Sequence, residues 1–136
     1  MVATKYLTVQ DVIEIHEVIL LELGAPPAAL RDAGGPESAV MRPRMAAEYE
    51  DADLVRQAVM LAVGISQAQA FVDGNKRTAF ASLRAFRRMN SLRFTGRPLE
   101  LAQQLVLIAE RRDSLQSASD RFEDWLRTRV VEITNH

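Results

Sequence analysis

From Thr8 to Leu23 the apolar residues Val9, Val12, Ile13, Ile19, Leu20 and Leu23 recur at helical spacing, and Thr8 followed three residues later by Asp11 has the form of a capping start. This predicts a first helix that ends at Gly24. The next stretch, GAPPAALRDAGGPE, is rich in Pro and Gly and reads as the main loop of the chain. Ser38 to Glu50 predicts a short helix interrupted near Pro43. From Asp53 to Ala68, Leu54, Ala58, Leu61, Ala62 and Ile65 share one face, which predicts a long buried helix, and Gly64 within it predicts a close approach by a neighbour. Helical periodicity resumes at Asn75 with Ala79, Phe80, Leu83 and Phe86 and runs to Met89; SLRFTGRP then turns the chain. Leu99 to Arg111 and Ser117 to Val131 predict two more amphipathic helices, the second opened by Ser117 with Asp120 three residues on. Trp125, in register with Phe122 and Val130, reads as core. No run of alternating β-branched residues is long enough to predict a sheet, so the expectation is an all-α bundle of about six helices forming a single domain over residues 1–136.

Composition narrows the function classes. Apolar residues make up 48% of the chain and the formal net charge is −1, as expected of a folded soluble protein. There is no cysteine, which removes disulfides and thiolate metal sites, and the two histidines, His16 and His136, make a histidine-built metal site improbable. His16 lies on the apolar face of its helix and is expected in the core or at its boundary; His136 is terminal. No segment is apolar enough to span a bilayer and the N-terminus lacks a signal-peptide core, so the expected location is the cytoplasm. Between Lys76 and Arg97 stand seven basic residues and no acidic one. Without a basic excess over the whole chain or aromatic residues interleaved for base stacking, this reads as a solvated or acid-partnered helix face and not as a nucleic-acid surface.

The candidate chemistry sits in SQAQAFVDGNKRTAF, residues 66–80. A loop ending in Gly74 and Asn75 just before a helix points free N–H groups at one spot, backed by the positive end of the helix dipole, and such a spot binds anions. Gly74 permits close approach of a phosphate, Lys76 and Arg77 bring positive charge and a forked donor, and Asp73 offers a hard oxygen ligand of the kind Mg²⁺ takes beside phosphates. The same residues also fit an ordinary turn with Asn75 as a helix cap. Spacing alone leaves both readings open.

The stretch AFVDGNKRTAF resembles the central motif of the Fic/Doc family, His-Pro-Phe-x-Asp/Glu-Gly/Ala-Asn-Gly/Lys-Arg, with agreement over the seven positions from Phe71 to Arg77. The upstream LRDAGGPESAVMRPR resembles the segment before this motif in Doc-like members. The resemblance implies an all-α fold and an enzyme that transfers part of ATP onto a protein hydroxyl. It implies that Phe71 anchors the loop, Asp73 holds Mg²⁺, Gly74 and Asn75 cradle phosphates, and Arg77 pairs with the terminal phosphates. Lys76, where AMP-transferring members have Gly, and Phe80, where they have a second Arg, point to the Doc-like branch. Those members resemble kinases, transfer the γ-phosphate to elongation factor Tu, and act as toxins held by a Phd-like antitoxin; a segment rich in acidic residues would suit the basic face.

Gln69 stands where the motif has its general-base His, and Ala70 replaces the Pro. A neutral amide accepts no proton at physiological pH, although it still orients a hydroxyl by hydrogen bonding. Loss of general-base assistance costs about 10² to 10⁴ in rate. The expectation is a site that binds nucleotide and turns over poorly. Three explanations stand side by side: a His replaced by Gln, a naturally degenerate member, or a substitute base. Against the toxin stand an AMP-transferring Fic enzyme, a nucleotide-binding pseudoenzyme and a plain helical adaptor.

Overall fold

A computed structural model describes residues 3–22, 24, 34–68 and 75–133. Helix α1 (Val9–Glu22) opens on the reciprocal cap expected from its sequence: the Asp11 N–H donates to Thr8 Oγ1 at 3.1 Å and the Thr8 N–H donates to Asp11 Oδ2 at 2.8 Å. Val12, His16, Ile19 and Leu20 form its buried face. His16 is 2% exposed, in the core position that the helical register assigns it. Past the helix, Gly24 takes a left-handed φ of 67°, the conformation in which glycine ends helices at no steric cost.

Helix α2 (Gly34–Glu50) is longer than expected and departs from the sequence reading at both of its prolines. The loop was predicted to reach Glu37, but Pro36 lies in the first turn, where no intrahelical donor is needed. Pro43 was predicted to interrupt the helix and instead sits inside it, buried. A proline there forfeits the donor that Ala39 O would otherwise receive. Packing of α2 along α3 holds the helix through that loss.

Helix α3 (Leu54–Ala68) is the central element: ten of its residues from Val55 to Ser66 are buried, and it packs against α2, α4, α5 and α6. Asp53 caps it by accepting the Arg56 N–H at 3.0 Å. The one amide side chain buried at mid-helix is satisfied on both sides, because Tyr6 Oη donates to Gln57 Oε1 at 2.9 Å and Gln57 Nε2 donates to Ala52 O at 3.0 Å. Helix α4 (Asn75–Met89) has the predicted bounds and contributes Ala79, Leu83 and Phe86, all fully buried, to the same core as Ala58, Leu61 and Ala62 of α3.

Beyond α4 the chain forms a small sheet that the sequence pattern did not predict. Strand β1 (Leu92–Phe94) pairs antiparallel with β2 (Val130–Glu132), in the register Leu92 to Glu132 and Phe94 to Val130. Between them run α5 (Pro98–Ala109) and α6 (Leu115–Arg127), which pack on each other and on α3. Helix α6 starts earlier than expected, capped by Ser114, which accepts the Ser117 N–H at 3.1 Å, and it ends before Val130. Trp125 is half-buried at the core's edge, stacked at 6.3 Å from Phe122 and tilted at 5.9 Å from Phe94. Six helices and one two-stranded ribbon make an all-α bundle of the described residues, none of whose helices is long and apolar enough to cross a membrane.

Candidate functional site

The site predicted from sequence lies where α3 ends and α4 begins. Of its seven residues, Gln69, Phe71, Asp73 and Gly74 lie outside the described residues. Asn75, Lys76 and Arg77 form the first turn of α4. Asn75 is half-buried, while Lys76 and Arg77 are exposed. Directly beneath them Thr78 and Ala79 are completely buried, so the turn that carries the two cations is seated on the core by its other face.

That seating matters electrostatically. The amino end of a helix carries a partial positive charge, and an acidic residue in the first turn ordinarily stabilises it by about 0.3–1 kcal/mol. Helix α4 has no acidic residue in its first turn and places Lys76 and Arg77 there, against the dipole. Neither forms an ion pair among the described residues. Two side-chain cations and the positive end of the helix dipole thus converge where a polyanion is the natural complement.

Further along α4, the Phe80 ring is half-buried and covered by the Arg84 guanidinium, whose Cζ stands 5.5 Å from the ring centroid. Arg87 Nη1 donates to Leu92 O at 3.0 Å and joins α4 to β1. Burial, with the repulsion of Arg88 and Arg84 added, lowers the pKa of the Arg87 guanidinium from its ordinary value. The basic face is therefore in part structural: two of its arginines are engaged with the chain itself.

Among the described residues no group of three or more His, Asp or Glu side chains is placed to hold a metal ion.

Two concave features flank this junction, and the sequence reading identified neither. A groove of about 560 Å³ runs between α1 and α4, with Leu7, Ile15, Ile19, Ala81 and Ala85 in its walls and the carboxylates of Asp11, Glu14 and Glu22 beside them. A second pocket, about 480 Å³, is bounded by α2, the last turns of α3 and the start of α6. Its lining includes Arg42, which the sequence reading passed over; the signal for it was Gly64, whose missing side chain makes room for the Arg42 stem.

A search of curated proteins finds no match to the chain. A family model does match: the Fic/DOC family, over residues 6–87, which takes in α1 to α3, the whole loop motif and α4 as far as Arg87. The chain belongs to the Fic/Doc family, whose members transfer nucleotide-derived groups to proteins.

Proposed function

We propose that the protein is a Doc-like toxin which holds Mg²⁺ and ATP at the start of α4 and directs the γ-phosphate to a hydroxyl of a translation protein such as elongation factor Tu. The observation that carries this reading is the pair of exposed cations, Lys76 and Arg77, on a helix amino end with no acidic residue in its first turn. Arg77 pairs bidentately with terminal phosphate oxygens, Lys76 adds a point charge, and Asn75 with Gly74 supplies backbone donors. Asp73 holds the metal, which neutralises charge on the phosphates. Phe71 anchors the loop. Lys76 and Phe80 together favour phosphate transfer over AMP transfer, since Phe80 offers no cation for a nucleotide seated the other way round.

In the transfer, the acceptor oxygen forms a bond to the γ-phosphorus, the bond from that phosphorus to the bridging oxygen breaks, and ADP departs. The acceptor's proton must go to a base at position 69. Gln69 orients the hydroxyl without taking the proton, so turnover falls by about 10² to 10⁴ while the phosphate site stays whole. The antitoxin partner of such a toxin finds support in the basic face of α4, where exposed Arg88 beside Arg84 suits a segment rich in acidic residues. The expected setting is the cytoplasm, where the translation machinery works.

The experiment is the Gln69→His protein with Mg²⁺ and ATP labelled separately at the α and γ positions. Transfer of the γ label to a translation protein, together with growth arrest on expression, is expected. Transfer of the α label would instead make it an AMP transferase. A second reading, a nucleotide-binding pseudoenzyme, is favoured by the double departure Gln69 and Ala70 from the motif. It is the outcome if Gln69→His binds Mg²⁺-ATP and transfers neither label.

A further inference from the structure

The pocket between α2, α3 and α6 is built around one guanidinium. Gly64 stands inside a buried helix, where glycine is destabilising relative to alanine. A Cβ at that position would lie 3.0 Å from Arg42 Cδ and 3.4 Å from Ala39 Cα. The gap at Gly64 is thus occupied by the stem of Arg42, which lays the side chain across α3 at the border of the pocket. Half-buried, Arg42 forms no ion pair with a carboxylate among the described residues; no acidic side chain is in the described lining of this pocket, while the smaller concavity that Arg42 also borders includes Glu50, which is paired with Arg56. Ser38 and Gln67 add a hydroxyl and an amide to the same walls. A partly desolvated forked cation, flanked by two neutral hydrogen-bonding groups in about 480 Å³, matches a planar carboxylate.

Position decides whose carboxylate it is. Gln67 and Ala68 end α3, and Gln69, the residue that faces the acceptor hydroxyl in the proposed function, follows directly. The phosphate donors belong instead to the first turn of α4, at the far end of the intervening loop. Along α3, the described lining of the pocket therefore ends one residue before the position that faces the acceptor hydroxyl in the proposed function. We propose that it is an acceptor-polypeptide subsite, with Arg42 as its specificity-determining residue, that takes an Asp or Glu side chain of the protein substrate. This rests on the reading of the chain as a protein-modifying member of its family.

The test is direct binding, independent of transfer. Fluorescein-labelled octapeptides of Glu, Gln and Lys are titrated by anisotropy against the protein as it stands, Arg42→Met, which keeps the aliphatic stem, and Arg84→Ala/Arg88→Ala as a control on the basic face. The Glu peptide is expected to bind in preference to the other two, to lose about tenfold in affinity in Arg42→Met, and to be little changed by the control. Equal binding of the Glu and Gln peptides, or Glu binding that ignores Arg42 and falls in the control, overturns the inference. Mg²⁺-ATP affinity is measured on the same variants; a tenfold loss in Arg42→Met assigns the pocket to the nucleotide and likewise overturns it. Label transfer by Gln69→His reports separately on the proposed function, so its failure alongside Arg42-dependent Glu binding leaves an acidic-peptide site and removes only the transfer reading.

Discussion

Arg56 Nη1 donates to Glu123 Oε1 at 2.9 Å, tying the segment matched by the family to α6, which lies outside it. The pair is not isolated. Arg56 also donates through Nε to Glu50 Oε2 at 2.8 Å, and Glu123 accepts from Arg127 at 2.9 Å, so one mostly buried carboxylate joins two arginines from two helices. Replacing it by Glu123→Gln leaves one guanidinium with a neutral acceptor oxygen and sets an amide NH₂, itself a donor, against the other. The expected loss is about 1–3 kcal/mol, well above that of an exposed pair. Urea unfolding measures it, and a loss under about 0.5 kcal/mol would mean that the contact is only a surface pair.

Asp53 links the same network to acid stability. A hydrogen bond from Arg127, helped by the Arg56 N–H at the start of α3, lowers its pKa below the usual 3.8 against a smaller opposing effect of burial. A depressed folded value means that the stabilisation is fully present above the unfolded pKa and is lost as pH falls through the folded one. Stability should thus fall between about pH 5 and pH 2, and Asp53→Asn, which keeps a capping oxygen, should fall less steeply over that interval. Urea midpoints at several pH values test this; parallel curves for the two proteins would remove Asp53 from the acid transition. Its side chain is about half exposed (52%), so the effect is modest.

How far these features were legible in the sequence depends on the range of the interaction that fixes each. The bounds of α4 and the cap of α1 follow from neighbours three and four residues apart, and both appear as read. The interruption read into α2 comes from Pro43 as a local breaker and its late start from the Gly and Pro of residues 34–36, while the packing on α3 that overrides both is tertiary. The ribbon escaped for the same reason: Leu92 and Glu132 are far apart in sequence, and Val130, four residues after Leu126, continues the helical period into what is a strand. At the site, Gly64 announced a close neighbour without naming Arg42. Of the motif residues the structure describes Asn75, Lys76 and Arg77, and it adds to the sequence reading the exposure of Lys76 and Arg77 on a seated first turn.

One turn below the candidate site, Thr78 and Ser82 are completely buried on α4, and Thr78 Oγ1 and Ser82 Oγ have no hydrogen-bond partner among the described residues. A buried hydroxyl without a partner costs about 1–3 kcal/mol, and valine has nearly the same shape as threonine and a similar helix propensity. Thr78→Val is expected to raise the melting temperature by roughly 2–5 °C, equivalent to about 1 kcal/mol. A fall of similar size would show that the hydroxyl is engaged in the folded protein.

The central claim is that phosphates bind at the loop and first turn of α4, apart from the proton-transfer position. It is tested most directly by a Mg²⁺-ATP titration of four proteins side by side: the chain as it stands, Gln69→His, Arg77→Ala and Asp73→Asn. Arg77→Ala should bind about tenfold or more weakly, the loss of a charge-assisted partner worth about 1.5–3 kcal/mol. Asp73→Asn should weaken binding mainly when Mg²⁺ is present, and Gln69→His should leave affinity nearly unchanged. ATP binding that depends on position 69 and is indifferent to Arg77 and Asp73 would contradict the account.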